Sequence, residues 1–123
     1  MTRVRQLSET DFTDLVLHSS GPALVDFYAD WCGPCRAMAP VVERVASDYI
    51  DRLTVGKLNV DADPRIAMRF GVRSIPTLIF FVDGEAVATL SGFAGPGEVE
   101  SWAAELMKLV ADGSESWRPP QSA

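Results

Sequence analysis

The sequence predicts an α/β protein with a central mixed β-sheet of about five strands, flanked by about four helices. Two observations lead to this prediction. Apolar runs of strand length alternate with segments of helical periodicity, which is typical of parallel strands joined by helical crossovers. The third strong apolar run is instead followed by Asp83-Gly84, a two-residue turn that indicates an antiparallel hairpin. A sheet with both kinds of pairing must be mixed.

The N-terminal elements carry the weakest signals. Val4 and Leu7 indicate a short first strand. We expect a helix to begin near Thr10, which we predict as its N-cap, and to end at Gly21-Pro22. Helical spacing gives this helix one apolar face, made by Phe12, Leu15 and Val16.

The next segment is predicted to form a strand, a helix and a further strand. Residues 23–29 are apolar on both faces except at Asp26, as expected of a central strand covered on each side. Helical character follows after Pro34 and extends to Tyr49, with Pro40 inside the helix. The apolar side of this helix comprises Val41, Val42, Val45, Ala46 and Tyr49. The strand that follows this helix is expected over residues 53–59.

The C-terminal half is marked more clearly. Asp63-Pro64 predicts the start of a short helix, and Gly71 its end. Strands are expected over residues 77–82 and 85–90, on either side of the Asp83-Gly84 turn. The last helix is predicted from its apolar face, made by Val99, Trp102, Ala103, Leu106 and Val110. We divide the chain into one domain, residues 1–111, and a C-terminal tail, residues 112–123, that we expect to be mobile.

Composition and charge narrow the classes of function. The chain has 123 residues and a formal net charge of -6. No basic stripe is available to neutralise phosphates, which argues against a nucleic-acid partner. No uncharged apolar run approaches the ~18 residues of a membrane-spanning helix. The N-terminus shows no apolar signal segment, so we expect a cytoplasmic protein, and nothing in the sequence requires more than a monomer.

The two cysteines of the chain are Cys32 and Cys35, in Trp31-Cys32-Gly33-Pro34-Cys35 between the central strand and the long helix. Residues three apart at the start of a helix have Cα atoms about 5 Å apart. A disulfide accepts separations of roughly 4.4–6.8 Å. The pair can therefore form and break a disulfide with little backbone movement, and we predict reversible redox chemistry.

Position within the helix suggests different roles for the two thiols. Cys32 precedes the first turn, where unpaired N–H groups and the helix dipole favour a thiolate, so we predict it as the nucleophile. A pKa near 8.5 leaves about 3% thiolate at pH 7, and a fall of ~1.5 units raises this to about half. Cys35 is expected to be more shielded and to resolve a mixed disulfide.

Two other readings of the cysteine pair are weaker. A zinc site requires four ligands, whereas the chain has no third cysteine and a single histidine, His18. A purely structural disulfide is possible, but a four-residue loop gains little stability from cross-linking. We therefore expect redox chemistry, with no metal and no cofactor.

A longer set of residues makes a resemblance visible: Val25-Asp26-Phe27-Tyr28-Ala29-Asp30-Trp31-Cys32-Gly33-Pro34-Cys35, Ala39-Pro40, Lys57-Leu58-Asn59-Val60-Asp61, Ile75-Pro76-Thr77-Leu78, Gly84 and Gly92. On these residues the chain resembles the thioredoxin family over roughly residues 5–110. The resemblance implies the thioredoxin fold and protein-disulfide reductase activity in cellular redox homeostasis. It also implies two kinds of partner, disulfide-bearing proteins and a thioredoxin reductase that supplies electrons.

Further roles follow from the resemblance. Asp26 corresponds to the buried carboxylate that accepts the proton of Cys35, and Lys57 to the lysine beside it. A carboxyl group on a strand buried on both faces is also expected on physical grounds to have a raised pKa. Ile75-Pro76 corresponds to a loop with a cis proline, although sequence alone favours a trans bond. The implied substrate-docking surface comprises Trp31, Gly33, Pro34, Ile75, Pro76 and Gly92.

The sequence departs from the family pattern at several positions, and two other functions are compatible with it. Arg36 stands where a lysine is frequent, Tyr28 where a tryptophan or phenylalanine is frequent, and the loop 91–97 is unusual. A disulfide oxidase or isomerase is one alternative, but such relatives prefer histidine between the cysteines. A non-catalytic binding module that uses the same surface is the other, because a fold does not fix a function.

Overall fold

Residues 3–112 are described by the structure, a computed structural model, and they form one β-sheet with helices on both faces. The strands are β1 (Arg5–Gln6), β2 (Pro22–Tyr28), β3 (Thr54–Asn59), β4 (Thr77–Val82) and β5 (Glu85–Ser91). The helices are α1 (Glu9–Phe12), which continues as a π-helix over Thr13–Leu17, α2 (Gly33–Asp48), α3 (Pro64–Arg69) and α4 (Pro96–Ala111). The spatial order of strands is β1-β3-β2-β4-β5.

The sheet is mixed, as the sequence predicts. β3 pairs in parallel with both β1 and β2, while β4 pairs antiparallel to β2 and β5. The hairpin between β4 and β5 turns at Asp83 and Gly84, both with positive φ, which fits the type of two-residue turn that strand twist favours. Gly84 is required there because a side chain would collide with the carbonyl oxygen of Leu17.

Alternation along the strands divides the core into two layers. One layer packs α2 and α4 on the sheet and includes Leu24, Val55, Leu78 and Phe80. The opposite layer packs α1, the π-helix and α3 on the sheet, and includes Val25, Phe27, Leu58, Ile79 and Phe81. Because neighbouring residues of a strand point to opposite faces, each strand contributes to both layers. β2 lies at the centre and is buried on both sides, as predicted.

The start of the first helix differs from the prediction. Its N-cap is Ser8 and not Thr10. The Ser8 hydroxyl accepts from the Asp11 N–H at 3.2 Å, and the Asp11 carboxylate accepts from the Ser8 N–H at 3.3 Å. This reciprocal capping box satisfies two N–H groups that a cap at Thr10 would leave unpaired. The π-helical continuation has no counterpart in the sequence analysis.

The other element boundaries agree with the predictions to within a few residues. α2 already begins at Gly33, directly after Cys32, and contains Pro40. Asp63 occupies the N-cap position of α3, but its side chain makes no capping hydrogen bond. Residues 113–123, most of the predicted tail, lie outside the described residues. Within residues 3–112, each helix is too short or too polar to cross a bilayer.

Candidate active site

Cys32 and Cys35 form a disulfide at the N-terminus of α2. Their Cα atoms are 5.2 Å apart, close to the separation predicted from helix geometry. Cys32 has extended backbone and is the N-cap of the helix. Its Sγ atom accepts from the Cys35 N–H at 3.2 Å. The Cys35 N–H of the first turn therefore points at the sulfur of Cys32, as it would point at a thiolate in the reduced protein.

Burial does not distinguish the two cysteines, contrary to the prediction that Cys35 is more shielded. Cys32 is 4% exposed and Cys35 is 3% exposed. Both pack with Ala29, and with the partly buried side chains of Tyr28, Val60 and Ile75. The asymmetry lies in position instead, because Cys32 is the cap residue that receives an N–H and Cys35 is inside the first turn.

Asp26 lies in the core with one carboxyl oxygen unsatisfied. The residue is 4% exposed, and its Oδ1 atom has no hydrogen-bond partner among residues 3–112. It lies two positions after Leu24 on β2, so both side chains face the layer that contains α2. Burial raises the pKa of Asp26 to about 7, and the charge of Lys57 opposes this rise. A carboxyl group with such a pKa can take up or release a proton near neutral pH.

Lys57 lies beside Asp26 because the two residues are register partners on β3 and β2. Its ammonium group stands over the ring of Tyr28, with Nζ 5.5 Å from the ring centroid. The hydroxyl of Tyr28 donates to Oε1 of Gln6 on β1 at 2.9 Å. The structure therefore brings together the acid and the lysine that the resemblance implies. It adds Tyr28 and Gln6, to which the sequence analysis gave no role.

The Ile75–Pro76 peptide bond is cis, as the resemblance implies and as sequence alone would not favour. Ile75 is half-buried and contacts the cluster of the two cysteines. The carbonyl of Pro76 accepts from the Gly92 N–H at 2.8 Å. Gly92 has a φ of 81°, where a residue with a side chain is disfavoured. The peptide bond and this hydrogen bond therefore hold together three residues of the predicted docking surface: Ile75, Pro76 and Gly92.

The remaining residues of the predicted docking surface are exposed. Gly33 and Pro34 lie in the turn between the cysteines, and Trp31 is 69% exposed. The indole Nε1 of Trp31 donates to Oδ2 of Asp61 at 2.8 Å. Asp61 lies thirty positions further on in sequence, so local patterns give no sign of this contact. The guanidinium of Arg36 donates to the carbonyl of Asp30 at 2.7 Å, which ties the start of α2 to the preceding turn.

Comparison with known proteins agrees with this geometry. The family model described as Thioredoxin matches residues 3–105. Thioredoxin 1 of Synechococcus elongatus is 48% identical over 92 residues, which cover 75% of this chain and 86% of the relative. The thioredoxin of Rhodospirillum rubrum is 42% identical over 99 residues, which cover 80% of this chain and 95% of the relative.

A third relative comes from an organelle. The chloroplastic M-type thioredoxin of Chlamydomonas reinhardtii is 48% identical over 86 residues, which cover 70% of this chain and 61% of the relative. The match to the family model spans the sheet, the disulfide turn and the cis-proline loop. The chain therefore belongs to the thioredoxin family, and it is a thiol–disulfide oxidoreductase of the protein-disulfide reductase type.

Proposed function

We propose that the protein reduces disulfides of partner proteins by ordered thiol exchange, in which Cys32 attacks first and Cys35 resolves. The observation that carries this order is the hydrogen bond from the Cys35 N–H to Cys32 Sγ, at 3.2 Å. A hydrogen bond donated to a thiolate favours that charged form over the thiol. The thiolate of the reduced pair is therefore favoured at Cys32, and the thiolate is the attacking species.

In the first step, the Cys32 thiolate attacks one sulfur of the substrate disulfide. A bond forms between Cys32 Sγ and that sulfur while the substrate's own sulfur–sulfur bond breaks. The second substrate sulfur leaves as a thiolate and takes a proton from solvent. The product of this step is a mixed disulfide between Cys32 and the substrate.

In the second step, Cys35 resolves the mixed disulfide, and Asp26 serves as the proton acceptor. Asp26 takes the proton of the Cys35 thiol, and the resulting thiolate attacks Cys32 Sγ. The Cys32–Cys35 bond forms as the bond between Cys32 Sγ and the substrate sulfur breaks. That sulfur leaves as a thiolate and takes a proton from solvent, so both sulfurs of the substrate are now reduced. Two electrons have moved from the dithiol to the substrate. Burial supports this role because it gives Asp26 a pKa of about 7, where a base is effective at neutral pH.

Substrate docking is assigned to the exposed surface around the disulfide. Trp31, Gly33 and Pro34 offer apolar contact next to Cys32. Ile75, Pro76 and Gly92 form the adjacent wall. An extended substrate segment can pair with the main chain of Ile75 as a strand pairs with a sheet edge. This mode needs no particular side-chain sequence, so it suits a reductase with several substrates.

The same proposal covers partners and location. The oxidised protein is recharged by a thioredoxin reductase, acts as a monomer in electron transport and resides in the cytoplasm. Lys57 belongs to the catalytic group through its effect on Asp26. The oxidase or isomerase reading is less favoured because Gly33 and Pro34, and no histidine, separate the cysteines. The binding-module reading remains the competitor from a different class.

The reduction potential of the Cys32–Cys35 pair is the first measurement to make. It is obtained by equilibration against glutathione or dithiothreitol and followed by tryptophan fluorescence. A potential well below the cytosolic glutathione poise is expected of an electron donor. A potential well above that poise would reassign the protein as an oxidant or isomerase.

Trapping tests the order of attack. Cys35→Ser is expected to accumulate a mixed disulfide with a model protein disulfide, because the resolving thiol is missing. Cys32→Ser is expected to form no such adduct and to lose all turnover. The opposite pattern, with the adduct on Cys35, would overturn the assignment of the nucleophile. A binding module would keep its cellular role in both variants.

A further inference from the structure

Tyr28 crosses the strand that carries Lys57. Tyr28 follows Asp26 by two residues on β2, so both side chains leave the same face of the sheet. Its hydroxyl bonds Gln6 on β1. β1 and β2 are separated by β3, and therefore by about 10 Å. The Tyr28 side chain must lean across β3 to reach Gln6.

Lys57 is the residue beneath this crossing. It is the register partner of Gln6 on one side and of Asp26 on the other. Its Nζ atom is 5.5 Å from the centroid of the Tyr28 ring, within the ~6 Å range of a cation–π contact. Lys57 and Tyr28 are both half-buried, so solvent screens this contact less than it would on an open surface.

Lys57 is the charged side chain that the surrounding elements bring to Asp26. β3 contributes Lys57, and β4 contributes the apolar Leu78 as register partner. The buried side of α2 contributes Cys35 and Met38, and β2 itself contributes the titratable Tyr28. Within the part of the chain that the structure describes, Asp26 Oδ1 nevertheless has no hydrogen-bond partner. The Lys57 ammonium is thus close enough to influence Asp26, but it does not bond that oxygen.

We propose that Tyr28, held by Gln6, is a positioning residue for Lys57, keeping the ammonium over its ring rather than on the Asp26 carboxylate and so governing how readily Asp26 accepts a proton. The inference rests on the proposed role of Asp26 as the proton acceptor of Cys35. A direct ion pair would stabilise the charged carboxylate and weaken it as a base near neutral pH.

The test is a pH titration of the Asp26 carboxyl carbon by NMR in the oxidised protein, where the two cysteines do not titrate. In Tyr28→Leu the ammonium loses the ring and is free to pair with the carboxylate. The Asp26 midpoint is expected to fall by about half to one pH unit. Tyr28→Trp restores an aromatic face and is expected to restore the midpoint. Tyr28→Phe keeps the ring but loses the bond to Gln6, so a smaller fall is expected.

A second set of variants, made in a protein that lacks the charge of Lys57, distinguishes positioning of Lys57 by Tyr28 from simple packing of the Tyr28 ring. Lys57→Met keeps the length of the side chain and removes its charge. If Tyr28 acts through Lys57, adding Tyr28→Leu to Lys57→Met leaves the Asp26 midpoint unchanged. An equal fall in both backgrounds would mean that the smaller side chain merely admits water, and the proposal would be overturned.

The matched control is Tyr49→Leu. Tyr49 also lies under a cation, with the Arg52 guanidinium carbon 5.1 Å from its ring centroid, but it caps the far end of α2. Its replacement is expected to leave the Asp26 midpoint in place. Should Tyr28→Leu fail to fold, Tyr28→Phe and Gln6→Ala carry the same test, since each releases the ring from Gln6. An unchanged midpoint in both of these variants overturns the proposal.

Turnover measurements keep this inference distinct from the proposed function. If the Tyr28 variants move the Asp26 midpoint but Asp26→Asn retains the wild-type pH–rate profile, Asp26 is not the proton acceptor and that part of the proposed function is wrong. Tyr28 then still positions Lys57, but this positioning has no effect on turnover. If Asp26→Asn removes the pH-dependent step but the Tyr28 variants leave the midpoint in place, the proposed function stands and the positioning role is wrong.

Discussion

The two layers on either side of the sheet receive neighbouring residues of β2 and use them differently. Val25 and Phe27 enter the layer under α1 and α3, while Asp26 between them enters the layer under α2. The first layer is packed with apolar side chains, including three phenylalanine rings whose centroids are 5.3–5.6 Å apart. The second layer contains a buried carboxyl oxygen that has no hydrogen-bond partner among the described residues.

This difference teaches how one strand can serve both stability and chemistry. Removing apolar side chains from water stabilises the fold, and the phenylalanine cluster does this without any polar group to satisfy. A buried carboxyl group without partners is destabilising when it is charged. Such a group is tolerated where its raised pKa has a use, and we propose that on β2 this use is proton transfer at the disulfide end of the strand. The alternation of side chains keeps the two environments apart.

The largest effect is expected from a substitution in the apolar layer, by which we mean the layer under α1 and α3. Phe81 is fully buried and contacts the rings of Phe12 and Phe70. Phe81→Ala is expected to lower the free energy of unfolding by roughly 3–5 kcal/mol, because it removes the ring and leaves a cavity. The Asp26 titration should stay unchanged in the folded protein, since the sheet separates the two layers.

Urea unfolding and NMR titration measure these two effects. Phe81→Leu serves as the milder variant if the alanine variant is too unstable to study. A shifted Asp26 midpoint in either variant would show that the two layers are coupled, and the view that the sheet keeps them independent would be wrong.

The next effect has the opposite sign and depends on pH. Asp26 has a pKa of about 7 in the folded protein and an ordinary value of 3.8. Between these values the folded state keeps a proton that the unfolded state has lost, so stability falls as pH rises. The shift corresponds to roughly 4 kcal/mol at 1.36 kcal/mol per unit. Asp26→Asn removes the titration, so it should match wild type near pH 4 and be more stable by up to roughly 4 kcal/mol near pH 8.

The measurement is urea unfolding of the oxidised protein across this pH range. The control is Glu105→Gln, which neutralises an exposed acid on α4 and should show no comparable dependence. A constant difference between Asp26→Asn and wild type at all pH values would contradict the assignment of a raised pKa to Asp26.

A smaller effect is expected at the edge of the apolar layer, where Ser8 caps α1. Ser8→Ala removes the acceptor for the Asp11 N–H and one half of the capping box. A loss of about 1 kcal/mol in the free energy of unfolding is expected, independent of the redox state of the cysteines. Thr10→Ala is the matched variant and should cost less, because Thr10 lies inside the first turn. A larger loss for Thr10→Ala would restore the cap predicted from sequence.

Strong local signals explain which parts of the fold could be predicted from sequence. The apolar run of β2, the Asp83-Gly84 turn and the cysteine spacing each act over a few residues, and the structure agrees with them. The N-cap predicted for α1 is wrong because Ser8 and Thr10 are both residue types that suit an N-cap, so residue type alone does not choose between them. The reciprocal bond with Asp11 decides between them.

The contacts of the site depend on residues distant in sequence. The Gln6–Tyr28–Lys57 contacts exist because three strands align, and strand order is not visible in any single segment. The equal burial of Cys32 and Cys35 likewise follows from the packing of the loops over both residues. The cis bond before Pro76 was available from the resemblance alone, since X-Pro bonds in folded proteins are mostly trans.

The smallest effect is expected at the surface beside the disulfide, where the indole N–H of Trp31 donates to Asp61. Both side chains are exposed, so the bond is expected to contribute only about 0.5 kcal/mol, at the low end for hydrogen bonds. Asp61→Ala leaves the indole free to change its orientation on the docking surface. We expect KM for a protein disulfide to rise about twofold, the equivalent of that energy, with kcat unchanged because the cysteines and Asp26 are not touched. Asp61→Asn retains an oxygen acceptor and should behave like wild type. A fall in kcat in Asp61→Ala would instead mean that the exposed indole takes part in the exchange step, and that the chemistry reaches beyond the buried layer to the surface.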